Sequence, residues 1–411
     1  MRAVLLSFAV LMLIPCSAWS QGNPLGPEFR VNSYTTNDQL QPSIAADSAG
    51  NFVVVWDNVN QFARDVLGQR YSSSGTPLGG AFRVNTFQFG NHASSVASDS
   101  AGNFVVIWEW EPLERAGLLG QRYSSSGAPL GSAFDLGNSN YSLSPAVARD
   151  PGGNFIVVWN TLFTVGGDSG AGVFGQRYAG SGAPLGSVFH ANTYTTGDQT
   201  AASIAADASG NFVVVWNGNN QDGSGLSVFG QRFASSGSPL GSEFRVNTHT
   251  TSDQSGPSVA ADASGNFVVV WQSMGQDGSG DGVFGQRFDS SGAPLGPEFR
   301  INMYTTGGQR APSVAADAGG NFVVTWQSPQ DGSSYGIFGQ RYADSGIPLG
   351  LEFVVNTYTP AGQIVPSVAA DSLGDFVVVW QSFNQDGSAY GVFGQRYRPI
   401  LPVELMRFRV E

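Results

Sequence analysis

Residues 258–288 read SVAADASGNFVVVWQSMGQDGSGDGVFGQRF. Small residues open the stretch, and Asp262-Ala263-Ser264-Gly265-Asn266 forms a tight hairpin turn in which Gly265 can take positive φ. The run 266–271 after it is apolar on both phases, with Phe267, Val269 and Trp271 pointing one way and Val268 and Val270 the other. Such a strand must be covered on both faces. A glycine-rich polar loop leads to the next strand, 282–288. Ser290-Ser291-Gly292-Ala293-Pro294-Leu295-Gly296 then turns the chain into a fourth, 298–301. No segment of the unit has helical periodicity long enough to compete.

The unit recurs seven times. Its landmarks are Trp56, Trp108, Trp159, Trp216, Trp271, Trp326 and Trp380, spaced between 51 and 57 residues apart, and Gly-Gln-Arg triplets ending at Arg70, Arg122, Arg177, Arg232, Arg287, Arg341 and Arg396. A period of this length, with four short antiparallel strands covered on both faces, predicts an all-β, seven-bladed β-propeller of four-stranded blades. An open solenoid is the structural competitor.

Closure of the ring is ambiguous. Residues 24–30 repeat residues 294–300 letter for letter, so a fourth-type strand precedes the first complete repeat. Phe408-Arg409-Val410 lies 12 residues after Arg396, as Phe299 does after Arg287, so the C-terminal end offers another. Eight candidates compete for seven places. The N-terminal one is favoured because it keeps its glycine turn, whereas the C-terminal approach reads Arg398-Pro399-Ile400-Leu401-Pro402.

The expected layout is a signal peptide at 1–20, the seven-repeat propeller at 21–398 and a C-terminal strand or tail at 399–411. Arg2, the apolar run 3–14 and Ala18-Trp19-Ser20 make the secretory leader. Pro15 before Cys16 is unlike a lipobox, which argues against a lipid anchor. Cys16 is the only cysteine, so the exported chain holds no disulfide and rests on its core. All 19 basic residues are Arg, against 31 Asp plus Glu, for a net charge of −12. This balance argues against nucleic acid and is compatible with cation binding or with solubility alone. A secreted or periplasmic monomer without a membrane span is expected.

The landmarks, hairpin turns and period resemble an uncharacterised bacterial secreted β-propeller repeat family, and more distantly NHL-type and integrin-type (FG-GAP) propeller repeats. That resemblance implies binding of sugars, proteins or calcium rather than a fixed catalytic role.

In antiparallel blades the two tight turns share one side, and the second-to-third loops and the crossovers share the other. Long polar loops on a rigid frame are where binding residues concentrate. The crossovers carry Asn-Thr-Tyr-Thr-Thr-Gly-Asp-Gln at 192–199 and relatives elsewhere. Tyr34, Tyr194, Tyr304 and Tyr358 offer rings for stacking on sugars, and Asp198, Gln199, Asp253 and Gln254 offer polar orientation. The competing reading has tyrosine packed against the next blade and the polar groups fixing the loop. Gln-Asp-Gly-Ser recurs in four loops, and Asp277, Ser279 and Asp281 alternate as a calcium loop begins, although the distal glutamate is missing. A turn in which Asp and Ser bond their own backbone is the simpler reading. Calcium is therefore an optional partner, and no cofactor is required.

Repeat two departs most, with Glu109-Trp110-Glu111-Pro112-Leu113-Glu114-Arg115 in place of the glycine-rich loop. Trp110 joins the expected ligand contacts. Glu109 and Glu111 are a weak candidate for an acid pair in glycoside cleavage. The Asp and Arg found in every repeat read as construction: Asp caps the hairpin, and Arg pairs across the blade. His92, His190 and His249 show no metal spacing and read as loop or surface residues. The function favoured is a secreted, non-enzymatic propeller that binds extracellular carbohydrate or surface polymer through the long-loop face. The alternatives are a calcium-supported adhesion or protein-interaction scaffold and, third, a glycosidase-like enzyme.

Overall fold

The computed structural model describes residues 24–60, 64–85, 91–110, 117–136, 142–161, 167–332, 334–387 and 389–398. Seven four-stranded antiparallel sheets form the ring. Blade five shows the plan: an inner strand Gln254–Ala261, a second strand Phe267–Met274, a third Asp281–Phe288 and a two-residue outer strand Phe299–Arg300. The inner strands of successive blades pack on one another, and the last packs on the first.

The two-phase strand does what its pattern requires. Phe267, Val269 and Trp271 pack with Val213, Val215 and Val228 of blade four, while Val268 and Val270 pack with Val314, Val324 and Trp326 of blade six. All seven landmark tryptophans are fully buried. Each such side chain removed from water stabilises by about 1.5–3 kcal/mol, so the seams between blades form the core.

The Gly-Gln-Arg triplet resolves residue by residue. Gly285 is bare because Phe299 and Ile301 lie over it: a Cβ there would stand 3.1 Å from each. The outer-strand ring reaches the next blade in the same way, as Phe244 leans on Phe267 and Phe288, whose rings stack 4.8 Å apart. Gln286 donates Nε2 to the carbonyls of Arg287 and Gly296, tying the third strand to its turn. Arg287 donates to the Ser345 carbonyl of blade six at 2.5 Å. The recurring Arg thus reaches a backbone carbonyl of the following blade, with a longer contact to its own turn, 3.4 Å from Arg287 to the Leu295 carbonyl.

The recurring Asp is a turn cap. Oδ1 of Asp262 accepts the amides of Ser264 and Asn266 at 2.8 and 2.9 Å, and Oδ2 accepts Asn266 Nδ2 at 2.7 Å. Asn266 in turn accepts the Ser290 amide of the neighbouring turn. The seven turns and their caps encircle one mouth of the channel.

The inner strands depart from a plain ladder. Each carries a bulge, placed between Ser255 and Ser258 in blade five, with a residue at positive φ such as Ala311 at 52° or Val365 at 54°. The residue after the landmark Trp of the preceding blade accepts the freed amide: Gln272 takes that of Ala311 at 3.2 Å, and Gln381 takes that of Gln41 at 3.0 Å. These bonds staple neighbouring blades near the long-loop mouth.

The N-terminal strand closes the ring. Phe29 and Arg30 pair with Gly394 and Phe393 of blade seven, and the Leu25 amide donates to the Arg396 carbonyl at 2.7 Å. Blade seven therefore has no third-to-fourth turn of its own, and two neighbours register the loss. Nη1 of Arg341 is buried with no hydrogen-bond partner, and its guanidinium lies 5.6 Å from the Phe376 ring centroid instead. Asp375 stands where other blades place Asn, and burial together with Asp371 pushes its carboxyl up. The leader at 1–20 and the tail at 399–411 lie outside the described residues, as does Phe408-Arg409-Val410.

Candidate functional site on the long-loop face

Six crossovers start from a buried asparagine: Asn32, Asn85, Asn192, Asn247, Asn302 and Asn356. Oδ1 of Asn302 accepts the Val283 amide at 2.7 Å, and Nδ2 reaches the Tyr304 carbonyl, Gln309 Oε1 and Asp277 Oδ2 at 2.9, 3.1 and 3.0 Å. Gln309 closes the knot by donating to the Thr306 carbonyl. The same arrangement recurs at Asn192 and Asn247, and this decides the roles of two expected contacts. Gln199 and Gln254 are fully buried, accept from Asn192 and Asn247 at 3.1 Å, and donate to crossover carbonyls. They hold the loop from below, and no ligand reaches them in this conformation.

The remaining expected contacts lie nearer solvent. Tyr34 is 60% exposed, and Tyr194, Tyr304 and Tyr358 are half-buried at matching places. Asp198 and Asp253 are exposed, and Oδ1 of each accepts an amide of the preceding blade's loop, from Ala171 and Leu226 respectively, at 2.9 Å. Trp110 is half-buried at the end of the second strand of blade two, paired with Gly117.

A clamp not foreseen from sequence secures four crossovers. Oε2 of Glu298 accepts the amide and hydroxyl of Thr248 at 2.6 and 2.9 Å, and Oε1 accepts Gln276 Nε2 at 2.5 Å. Glu243 with Thr193 and Gln221, and Glu28 with Thr357 and Gln385, repeat it. Glu352 accepts the Met303 amide, and burial pushes its carboxyl up. At this position blades one to three carry Ala81, Ala133 and Val188. The Gln of Gln-Asp-Gly-Ser therefore travels with the Glu before the outer-strand Phe, and that joint occurrence was the available signal.

The acidic member of the same loop also faces inward. Asp277 accepts the Ser279 amide at 3.2 Å as well as Asn302. Ser279 Oγ accepts the Gly307 amide at 3.2 Å, and Asp281 pairs with Arg310. All three oxygen-bearing side chains expected at a calcium loop thus have protein partners. Among the described residues no group of three or more His, Cys, Asp or Glu is placed to hold a metal ion.

The carboxylates of repeats one and two serve the staples described above. Asp57 is buried and accepts the Ala93 amide at 3.0 Å, and Glu109 is buried and accepts the Ser144 amide. Glu111 lies outside the described residues, as does the His92 side chain. His190 stacks on Phe174 with centroids 4.5 Å apart and meets Asp168 at 2.9 Å. His249 is half-buried in a crossover. Asp57 also accepts the Ser94 hydroxyl at 3.4 Å, and among the described contacts neither His190 nor His249 is joined to a serine, threonine or cysteine side chain.

With this geometry in place, comparison with known proteins adds one result. The chain shares its fold with distant propellers. A polysaccharide lyase acting on ulvan, solved with a GlcA–Rha3S ligand, is 12% identical at a TM-score of 0.53, covering 89% of this chain and 95% of its own. The propeller domain of the trilobed protease of Pyrococcus furiosus is 7% identical at 0.52, covering 88% and 94%. A protein of unknown function from Dyadobacter fermentans is 11% identical at 0.51, covering 92% and 99%. At these identities the likeness is one of fold. No family model and no curated protein matches the chain. No helix among the described residues is long and apolar enough to cross a membrane.

Proposed function

We propose that this is a secreted, non-enzymatic propeller that binds extracellular carbohydrate through its long-loop face. The observation that carries the reading is the crossover into blade four, where the half-buried Tyr194 shares a loop with the exposed carboxylate of Asp198 on the buried Asn192–Gln199 knot, an arrangement repeated with Tyr34 and Asp38 on the Asn32–Gln39 knot. A stacking ring with fixed polar neighbours is what a sugar face and its hydroxyls require, and a rigid platform lowers the entropy lost on binding. Fold likeness to a polysaccharide lyase supports the ligand class. The non-catalytic part rests on the inward engagement of Glu109, one of the two carboxylates of the candidate acid pair.

A glycan array with the mature chain tests the proposal. Binding to at least one glycan, abolished by Trp110→Ala or Tyr194→Ala with the fold intact, is the expected result. An array without binding overturns it in favour of a protein-interaction scaffold. Turnover of a chromogenic glycoside lost in Glu111→Gln overturns the non-enzymatic part. The calcium-supported alternative predicts a thermal shift between millimolar calcium and chelator, and its absence ends that alternative.

A further inference from the structure

The repeats act as internal controls for one another, and one seam departs from them at two positions together, beside a glycine. The crossovers into blades one, four and five carry Asp38, Asp198 and Asp253 just before the buried Gln, each accepting an amide of the preceding blade's loop. Into blade six that residue is Gly308, as it is Gly90 into blade two and Gly362 into blade seven. The carboxylate has moved to the other side of the seam, as Asp281, where other blades carry Ala171, Leu226, Tyr335 or Tyr390. Immediately after the buried Gln309 stands Arg310, at the position of Leu40, His92, Leu143, Thr200, Ser255 and Ile364.

The two changes and the glycine fit one another sterically and electrically. Asp281 Oδ2 takes Arg310 Nε at 2.5 Å, which fixes the guanidinium plane from one edge. The Arg310 side chain is 50% exposed, that of Asp281 only 15%. A Cβ on residue 308 would stand 2.9 Å from Arg310 Nε and 3.4 Å from Nη2, so the arginine lies where only glycine leaves room. An aspartate there, as in the crossovers into blades one, four and five, would collide with the guanidinium and occupy its donors. Tyr335 is half-buried and close enough to act on the Arg310 charge. Among the described residues Nη1 and Nη2 have no protein hydrogen-bond partner.

An arginine held through Nε, with its two outer nitrogens turned to solvent, is a fork for a two-oxygen anion. A surface ion pair made only for stability would contribute little, about 0–1 kcal/mol, and would need neither Gly308 nor the displaced carboxylate. We propose that Arg310, set by Asp281 and Gly308 and flanked by Tyr335, is an anion subsite that makes the long-loop face select acidic polysaccharide. The group recognised is the carboxylate of a uronic acid or a sulfate ester. The inference rests on the carbohydrate reading and deepens it.

Titration of the mature protein with polygalacturonate, dextran sulfate and neutral dextran at low and high salt tests it. Wild type binds at least one acidic polymer at least tenfold more tightly than dextran, and salt weakens that preference. The carboxylated and sulfated arms tell the two sources apart. Arg310→Gln abolishes the preference without moving the melting temperature, and Gly308→Asp abolishes it while leaving Arg310 in place. Arg310→Lys restores only part of it, since an ammonium lacks the fork. Equal binding of dextran and the acidic polymers overturns the anion subsite and leaves carbohydrate binding standing. An acid preference that survives both Arg310→Gln and Gly308→Asp assigns it elsewhere and also overturns the proposal. Binding of no polymer overturns both.

Discussion

Single residues in this protein are chosen by what crosses them. Among the glycines of the Gly-Gln-Arg triplets Gly175 is the tightest case, because a Cβ there would stand 2.3 Å from the Phe189 ring. Gly175→Ala must push the outer strand of blade three off its sheet and cost about 1–3 kcal/mol, measurable by chemical denaturation. Glu352 tests electrostatics. Burial raises its folded pKa above the ordinary glutamate value, so folding takes up a proton there and stability falls as pH rises between the two values. Glu352→Gln removes that dependence, so its stability relative to wild type should improve from about pH 4.5 towards 7 in parallel denaturant titrations. The roles of Gly, Asp and Trp were legible from recurrence, since a residue present in every repeat is explained by construction. The destination of Arg was not: nothing in Gly-Gln-Arg says that the guanidinium seeks a carbonyl in the next blade, because that partner lies in space and not in pattern.

At the level of strands and loops, the two-phase apolar run gave the second strand and its two packing faces directly. The inner strand was read too short, starting at Ser258 where the structure starts at Gln254. Its bulge places Gly, Ala or Val at positive φ, stabilised by a side chain from the preceding blade, and no local signal announces that. The closing strand tests the element scale. Phe29 packs on Phe52 and Tyr71 with centroids 6.3 and 5.4 Å apart. Removing residues 24–31 uncovers those rings and opens the blade, so the thermal midpoint should fall sharply. Removing 403–411 should leave it nearly unchanged. Equal losses from the two truncations would contradict closure by the N-terminal strand. The Glu–Thr–Gln clamp makes a further expectation: Glu298→Ala should speed amide exchange in the crossover 247–254 with little change in global stability.

Across the whole ring, the seven repeats are not equivalent on the long-loop face. Blades four to seven share the clamped crossover, while blades one to three lack its glutamate, and the seam between blades five and six alone carries Arg310 with Asp281. Symmetry made the fold readable from sequence, and departures from symmetry are where the proposed ligand would be distinguished from solvent. Which departures matter could not be read from the chain alone, because Gly308, Asp281 and Arg310 look unrelated until the seam brings them together. Hydrogen exchange of the mature protein, with and without a saturating polysaccharide, tests the central claim most directly. The account predicts slowed exchange in the crossovers 32–39, 192–199, 247–254 and 302–309 and unchanged exchange in the turns that carry Asp47, Asp207 and Asp262. Protection confined to those turns, or none at saturation, would contradict binding through the long-loop face.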